Sequence, residues 1–434
     1  MLVPFVKLLE ETQKFISSKY STALNDAEKH EQLRSYINKF LQDHDFEVRG
    51  MDMEEISDRL YTEMAEYSIL TPYLGRDDIE EINVNSWENI VITYTDGHME
   101  KTPEHFFHPQ HAIDIVKRLL QHSNMIIDNT APMAQGHLPN NTRITALKDP
   151  LVDEDVGISV SIRLLHPSRI TREKLIKGNT ATEKMVDFLE TCLRYGVSLV
   201  VAGATSSGKT TMLNALLSSI PDGKRIFTIE TGARELSLVK RDANGNIINN
   251  VVHTLSRPSD NELYDINQEQ LVVASLRFDP DLVVVGEMRD EEASAVVEAS
   301  LTGHTVASTV HAYGAEAAHS RIALLCQRRH AIDFGTSMMQ TGQAFPIVVY
   351  AHKLEDNSRK LLEISECEVT NAGQRIYHTL YRYVVDSNII DEYGKYHITG
   401  HFEQPELMSE SLKRRLLQFG IPQDKLKKFL EKGA

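Results

Sequence analysis

A chain of 434 residues, 41% hydrophobic and 25% charged, has the length for two or three domains with buried cores and an ordinary globular balance. Its formal net charge of −16 argues against a generic nucleic-acid binder, whose affinity rests on neutralising phosphates, so no direct nucleic-acid partner is expected. No apolar run reaches the length of a membrane-spanning helix, and Met1-Leu-Val-Pro-Phe-Val meets Lys7, Glu10 and Glu11 too soon for a secretory signal; the expectation is a cytoplasmic protein. Cys192, Cys326 and Cys367 are far apart and form no C-x-x-C pair, which predicts reduced, buried thiols.

Residues 1–66 are polar and helical in period, with Leu33, Ile37, Phe40 and Leu41 on one stripe, and read as a helical extension. From about Asp77 the pattern changes to short strands, Glu81–Asn85 and Asn89–Tyr94, with Asp96-Gly97 as a turn. A helix over Ala112–Leu120 and strands at Leu138–Ile144 and Gly157–Arg163 complete a small α/β domain over 67–165. The cluster His105-Phe-Phe-His108-Pro-Gln-His111 has loose spacing and no cysteine, which favours a surface loop over a metal site. Residues 166–195 read as a polar link, His166–Arg172, and a helix.

The next stretch, 196–400, alternates strands and helices and predicts a largely parallel sheet covered by helices. Strand candidates are 197–202, 224–230, 281–286, 305–310, 345–351 and 361–369, with Asn244-Gly245 marking an inserted hairpin. Residues 401–434 read as a basic amphipathic tail, in which Lys413, Arg414, Arg415, Lys425, Lys427 and Lys428 alternate with Leu412, Leu416, Leu417, Phe419, Leu426 and Phe429. The default for such a segment is a solvated helix, with contact to an anionic membrane surface as the other reading.

The chemistry is concentrated in Gly203-Ala204-Thr205-Ser206-Ser207-Gly208-Lys209-Thr210, which matches G-x-x-x-x-G-K-[ST] between an apolar strand and the helix that continues through Thr211. Glycines let the backbone wrap a phosphate chain, and the amides at a helix N-terminus meet its charge. Lys209 is expected to reach the terminal phosphates and the Thr210 hydroxyl to ligate Mg²⁺. Hydrolysis also needs a carboxylate near the γ-phosphate. Two strand ends supply one: Asp281–Glu287, which carries Gly286 where such strands more often have Asp, and Lys224–Glu230, followed by Glu235. His311 closes the strand of Thr302–His311 on the edge where ligands of doubly wound sheets bind, a position from which it can sense the γ-phosphate.

These motifs, with Thr302-Gly-His304, Arg289, Glu292, Ala293 and the opening Asp78–Asn85, resemble the secretion superfamily of ATPases that drive type II and type IV secretion and type IV and Flp/Tad pili, nearest the Flp/Tad-like branch. The resemblance spans about 75–370. Gly286 is a trait of that family, whereas Thr231 after Glu230 departs from its usual Glu-Asp. It implies a RecA-like P-loop ATPase domain preceded by a smaller α/β domain, ATP and Mg²⁺ as ligands, a homo-oligomeric (hexameric) ring, and an inner-membrane platform protein as partner, with the motor at the inner face of the membrane. It further implies that Arg143 and Arg163 complete the site across the ring, with Glu287, Glu230 and His311 as the catalytic set. The alternatives are a conjugative type IV secretion ATPase or DNA-translocating motor, and a non-hydrolysing scaffold.

Overall fold

The computed structural model describes residues 2–20, 30–44, 46–121, 123, 125–138, 142–164, 171–257, 261, 264–329 and 331–432. They fall into two compact units, Met1–Leu165 and His166–Ala434.

The first unit begins with α1 (Phe5–Tyr20), α2 (His30–Asp43) and α3 (Met53–Ala65). The predicted stripe Leu33, Ile37, Phe40 and Leu41 on α2 is buried against Leu8, Ile16, Ile56 and Leu60 in a core of its own. A capping box starts α3: Asp52 accepts from the Glu55 amide and Glu55 from that of Asp52. After the single turn α4 (Thr71–Leu74) come β1 (Ile79–Ser86), β2 (Asn89–Tyr94), β3 (Met99–Lys101), α5 (Pro109–Gln121), β4 (Met133–His137), β5 (Arg143–Lys148) and β6 (Ile158–Arg163). The strands form an antiparallel sheet in the order β3-β2-β1-β6-β5-β4. The strand expected over Leu138–Ile144 instead begins at Arg143, and a strand that sequence reading missed, β4, ends at His137; residues 139–141 lie outside the described residues. Of the histidine cluster, His105 and His108 are exposed, and His111 on α5 reaches α3. His111 Nε2 lies 3.0 Å from the buried Glu63 carboxylate, and Arg118 donates to the carbonyls of Glu63 (2.9 Å) and Glu66 (2.7 Å).

In the second unit, α6 (Arg172–Lys177) and α7 (Glu183–Arg194) precede β7 (Leu199–Ala202), α8 (Lys209–Leu217), β8 (Ile226–Glu230), β9 (Val251–Leu255), α9 (Gln268–Ser275), β10 (Leu282–Val285), α10 (Glu292–Leu301) and β11 (Thr305–Val310). Then follow α11 (Ala315–Arg329), α12 (Phe334–Ala344), β12 (Ile347–Lys353), β13 (Arg359–Val369), β14 (Arg375–Ile390), β15 (Tyr396–Glu403), α13 (Glu410–Gln418) and α14 (Gln423–Lys427). One nine-stranded sheet runs β15-β14-β13-β12-β7-β11-β10-β8-β9. From β12 to β9 all pairings are parallel. Strands β7, β10 and β11 are wholly buried because the sheet is covered on both faces. Alternate residues feed separate cores, Leu199, Val201, Leu282 and Val284 on one face and Val200, Ala202, Val283 and Val285 on the other.

Two expectations need correction here. Beyond β12 the sheet is antiparallel, extended by the long β14–β15 hairpin, whose mostly part-exposed residues give no clean apolar alternation to read; the boundary expected at 400/401 falls inside β15. The C-terminal segment is not a solvated tail. Leu412, Leu416, Ile421, Leu426 and Phe429 are buried in the core that also holds α7, Phe429 packing edge-on against Phe188 at 5.5 Å. The Ser409 amide, at the cap of α13, donates to the buried Glu366 carboxylate (2.8 Å), and Arg415 donates to the Gly196 carbonyl (2.9 Å). The helix of 166–195 is likewise part of this core, through Met185, Phe188, Leu189 and Leu193. All three cysteines are free and buried.

Candidate active site

Parallel pairing places four strand ends on one edge. Val310 pairs with Ala202, so the loop after β7 leaves beside the end of β11; Val285 pairs with both Ser308 and Ile229, so Glu287 and Glu230 leave on the same edge. His304, at the start of β11, stands a strand length away, about 20 Å from His311.

The loop 203–208 has the shape its residues predict. A Cβ at position 203 would run into the Ala351 carbonyl and the Ser207 hydroxyl. Gly208 heads α8 with φ +84°, which favours glycine. Lys209 is buried; its Nζ donates to the carbonyls of Gly203 (3.1 Å) and Ala204 (2.8 Å) and lies 3.5 Å from His311 Nδ1. The Ser207 hydroxyl is buried without a hydrogen-bond partner among the described residues. A glycine-built cradle, a buried ammonium, an unanswered hydroxyl and a helix N-terminus form a donor set that fits a phosphate chain. Thr210, the next residue on α8, carries a hydroxyl that would fit Mg²⁺ beside a phosphate chain.

His311 connects this lysine to a carboxylate. Its Nε2 lies 2.9 Å from Glu287 Oε1 without the geometry of a hydrogen bond, leaving that buried oxygen without a hydrogen-bond partner among the described residues, and the other Glu287 oxygen receives Arg289 Nη2. Burial, then the Lys209 ammonium, hold the imidazole below its ordinary pKa against the pull of Glu287, which favours the neutral ring. The turn carrying Glu287 is fixed from two sides. Thr309 Oγ1 donates to the Gly286 carbonyl (2.7 Å) and the Met288 amide to the Thr309 carbonyl (2.9 Å). The buried Glu292 accepts from the amides of Arg289 (2.5 Å) and Asp290 (3.0 Å).

Glu230 has a different setting. It is 3% exposed, and its Oε1 accepts from the amides of Glu235 (2.7 Å) and Leu236 (3.0 Å). Its Oε2 is buried with no hydrogen-bond partner among the described residues. Burial raises its pKa to about 7, against the lowering effect of those two amides. The loop beyond is tied to α8 by the Ser237 amide, which donates to Asn214 Oδ1 (2.9 Å).

The expected arginines lie in the first unit. Arg143 on β5 and Arg163 on β6 are directly opposed in the antiparallel register and share a sheet face, with Arg163 Nη2 3.9 Å from Glu80 Oε1. The link at 165–170 lies outside the described residues; Arg172, just after it, opens α6 and pairs with Asp187 (2.5 Å), Glu183 (3.3 Å) and Glu190 (3.5 Å) of α7. Sequence reading missed Thr309, Asn214 and Arg359, the last of which donates to the Ser206 carbonyl. None carries a local signal, because each acts on a segment brought to it by the sheet.

A Walker-type loop between β7 and α8, on the carboxylate-bearing edge of a mainly parallel sheet, defines a P-loop nucleotide-binding fold. Within that class the chain belongs to the family of Type II/IV secretion system proteins, whose model matches residues 68–381. It is 37% identical over 144 residues to the type IV secretion system protein PtlH of Bordetella pertussis, covering 33% of this chain and 40% of PtlH. It is 31% identical over 242 residues to the uncharacterized protein MJ0900 of Methanocaldococcus jannaschii, covering 55% of this chain. The match spans 42% of MJ0900, less than half of that relative. Among solved structures, the VirB11 ATPase of the Brucella suis type IV secretion system is similar, with 23% identity, coverage of 68% of this chain and 92% of VirB11, and a TM-score of 0.36.

Proposed function

We propose that this chain is a Mg²⁺-dependent ATPase motor that works as a homo-oligomeric ring, of six copies, in a pilus or secretion machine. The observation that carries the chemistry is the line of Lys209, His311 and Glu287 side by side along one sheet edge. The loop amides and Lys209 hold the phosphate chain; Thr210 would hold Mg²⁺, which would supply neutralisation of phosphate charge. Glu287 is the only carboxylate in that line and orients the attacking water, its angle fixed by Arg289, Thr309 and Glu292. Glu230, wrapped by its own loop, supports that water less directly by ordering 231–237 beside it. His311, standing between Lys209 and Glu287, responds to charge at either neighbour and so reports whether the γ-phosphate is present.

Arg143 and Arg163 are proposed to meet the γ-phosphate across the ring, where a pair of guanidiniums would stabilise the spreading charge. Motion of the first unit about the link near 166–172 then does work on an inner-membrane platform protein, which would hold the motor at the inner face of the membrane. PtlH's own description supports the secretion side of this reading. The test is ATP turnover by the purified full chain. Wild type is expected to hydrolyse ATP with Mg²⁺, and Glu287→Gln to bind ATP but lose about a hundredfold or more in kcat. Normal turnover by Glu287→Gln would overturn the assignment.

A further inference from the structure

Arg359 opens β13, some 150 residues beyond the phosphate loop and outside every motif of the sequence. Its Nε donates to the Ser206 carbonyl at 3.2 Å, and its side chain lies across Gly208, where a Cβ would come 3.2 Å from Arg359 Cδ. Ser206 and Gly208 carry the left-handed backbone of the loop, φ +61° and +84°. For a serine that conformation is costly and persists where the surroundings enforce it. The peptide plane whose carbonyl Arg359 holds also carries the Ser207 amide, which has a long bond of 3.4 Å to the Ala204 carbonyl. Fixing that plane therefore aims one of the loop's N–H groups.

The two residues that follow hold a different segment. Lys360, buried, donates from Nζ to the Asn179 carbonyl (2.6 Å), and the Leu361 amide donates to the Thr180 carbonyl (2.8 Å). Asn179 and Thr180 close the end of α6, where the Gly178 amide bonds to Lys174 O and the Thr180 amide to Leu175 O, both at 2.9 Å. Three consecutive residues thus grip the phosphate loop at one end and the first helix after the link at the other.

We propose that Arg359 is a positioning residue for the phosphate loop, and that Arg359-Lys360-Leu361 passes the loop's occupancy to the C-terminal end of α6. This rests on the nucleotide reading of the site. A phosphate chain that turns the Ser206–Ser207 peptide shifts the Arg359 anchor, and the rigid pairing of 360–361 with 179–180 carries the shift to the root of the link.

The experiment uses the full-length chain as wild type, Arg359→Ala and Lys360→Met, with ADP as probe, and reads ADP affinity together with hydrogen exchange of residues 173–181 with and without ADP. Arg359→Ala is expected to weaken ADP about tenfold, the loss of one charge-assisted bond at the site, and to abolish the ADP-dependent change at 173–181. Lys360→Met is expected to keep ADP affinity within about twofold, having no contact with the loop, and still to lose the change at 173–181. Undiminished ADP affinity in Arg359→Ala, or an ADP-dependent change at 173–181 that survives Lys360→Met, overturns the proposal. Should Arg359→Ala fail to fold, Lys360→Met decides alone. A wild type that binds no ADP sinks the nucleotide reading itself, and this proposal with it.

Discussion

Gly286 and Glu230 share one small volume: a Cβ on Gly286 would stand 3.2 Å from Glu230 Cγ and 3.8 Å from its Cβ. The glycine at a position where P-loop strands more often carry aspartate is thus explained by the neighbouring strand, whose buried glutamate leans across the end of β10.

Restoring the missing aspartate is therefore expected to harm the protein. Gly286→Asp forces a side chain against Glu230 and sets a second carboxylate beside a buried one, costing about 1–3 kcal/mol of stability from overpacking alone. Thermal unfolding reads the loss. A variant as stable as wild type and fully active would show that the space is not as close as the geometry states.

His311→Ala removes the group between Lys209 and Glu287 while leaving both. Turnover is expected to fall about tenfold to a hundredfold, with KM moving by less than about threefold, because the imidazole touches the catalytic line and not the loop amides. Steady-state kinetics separate the two constants, and an effect confined to KM contradicts the placement.

Glu230 sets a pH dependence of known sign. Its folded pKa, raised from 4.5 to about 7, means that the unfolded chain loses its proton first as pH rises. Stability from this group is complete below pH 4.5, declines between there and pH 7, and has cost about 3 kcal/mol above. Glu230→Gln keeps an acceptor for the amides of Glu235 and Leu236 and removes the titration. The variant is expected to gain Tm over wild type at pH 8 and to lose that gain at pH 5. An equal difference at both values refutes the burial account.

The C-terminal helices are expected to be indispensable to the second unit. Phe429→Ala opens a cavity against Phe188 and costs about 3–5 kcal/mol, measured by denaturant unfolding. A freely solvated tail would lose nothing.

Much of the site is written locally. The run 203–210 needs its glycines and lysine in a fixed order because a phosphate chain is gripped by neighbouring amides, so strand, loop and helix can be read without knowledge of the rest. The parallel strands are equally legible: Leu282–Val285 is apolar throughout and Thr305–Val310 keeps Val306, Ala307 and Val310 among small hydroxyl residues, as strands covered on both faces allow. From that pattern alone, Glu230, Glu287 and His311 belong at strand ends. Their order across the sheet, β7-β11-β10-β8, is not in the sequence, and it is what sets His311 beside Lys209 and turns Glu230 into its own loop. Arg359 on the phosphate loop, and Leu416 and Phe429 in the core, were equally beyond reach. A local pattern states which residues seek phosphate or seek burial, but which distant segment answers them is decided by the register and curvature of the assembled sheet.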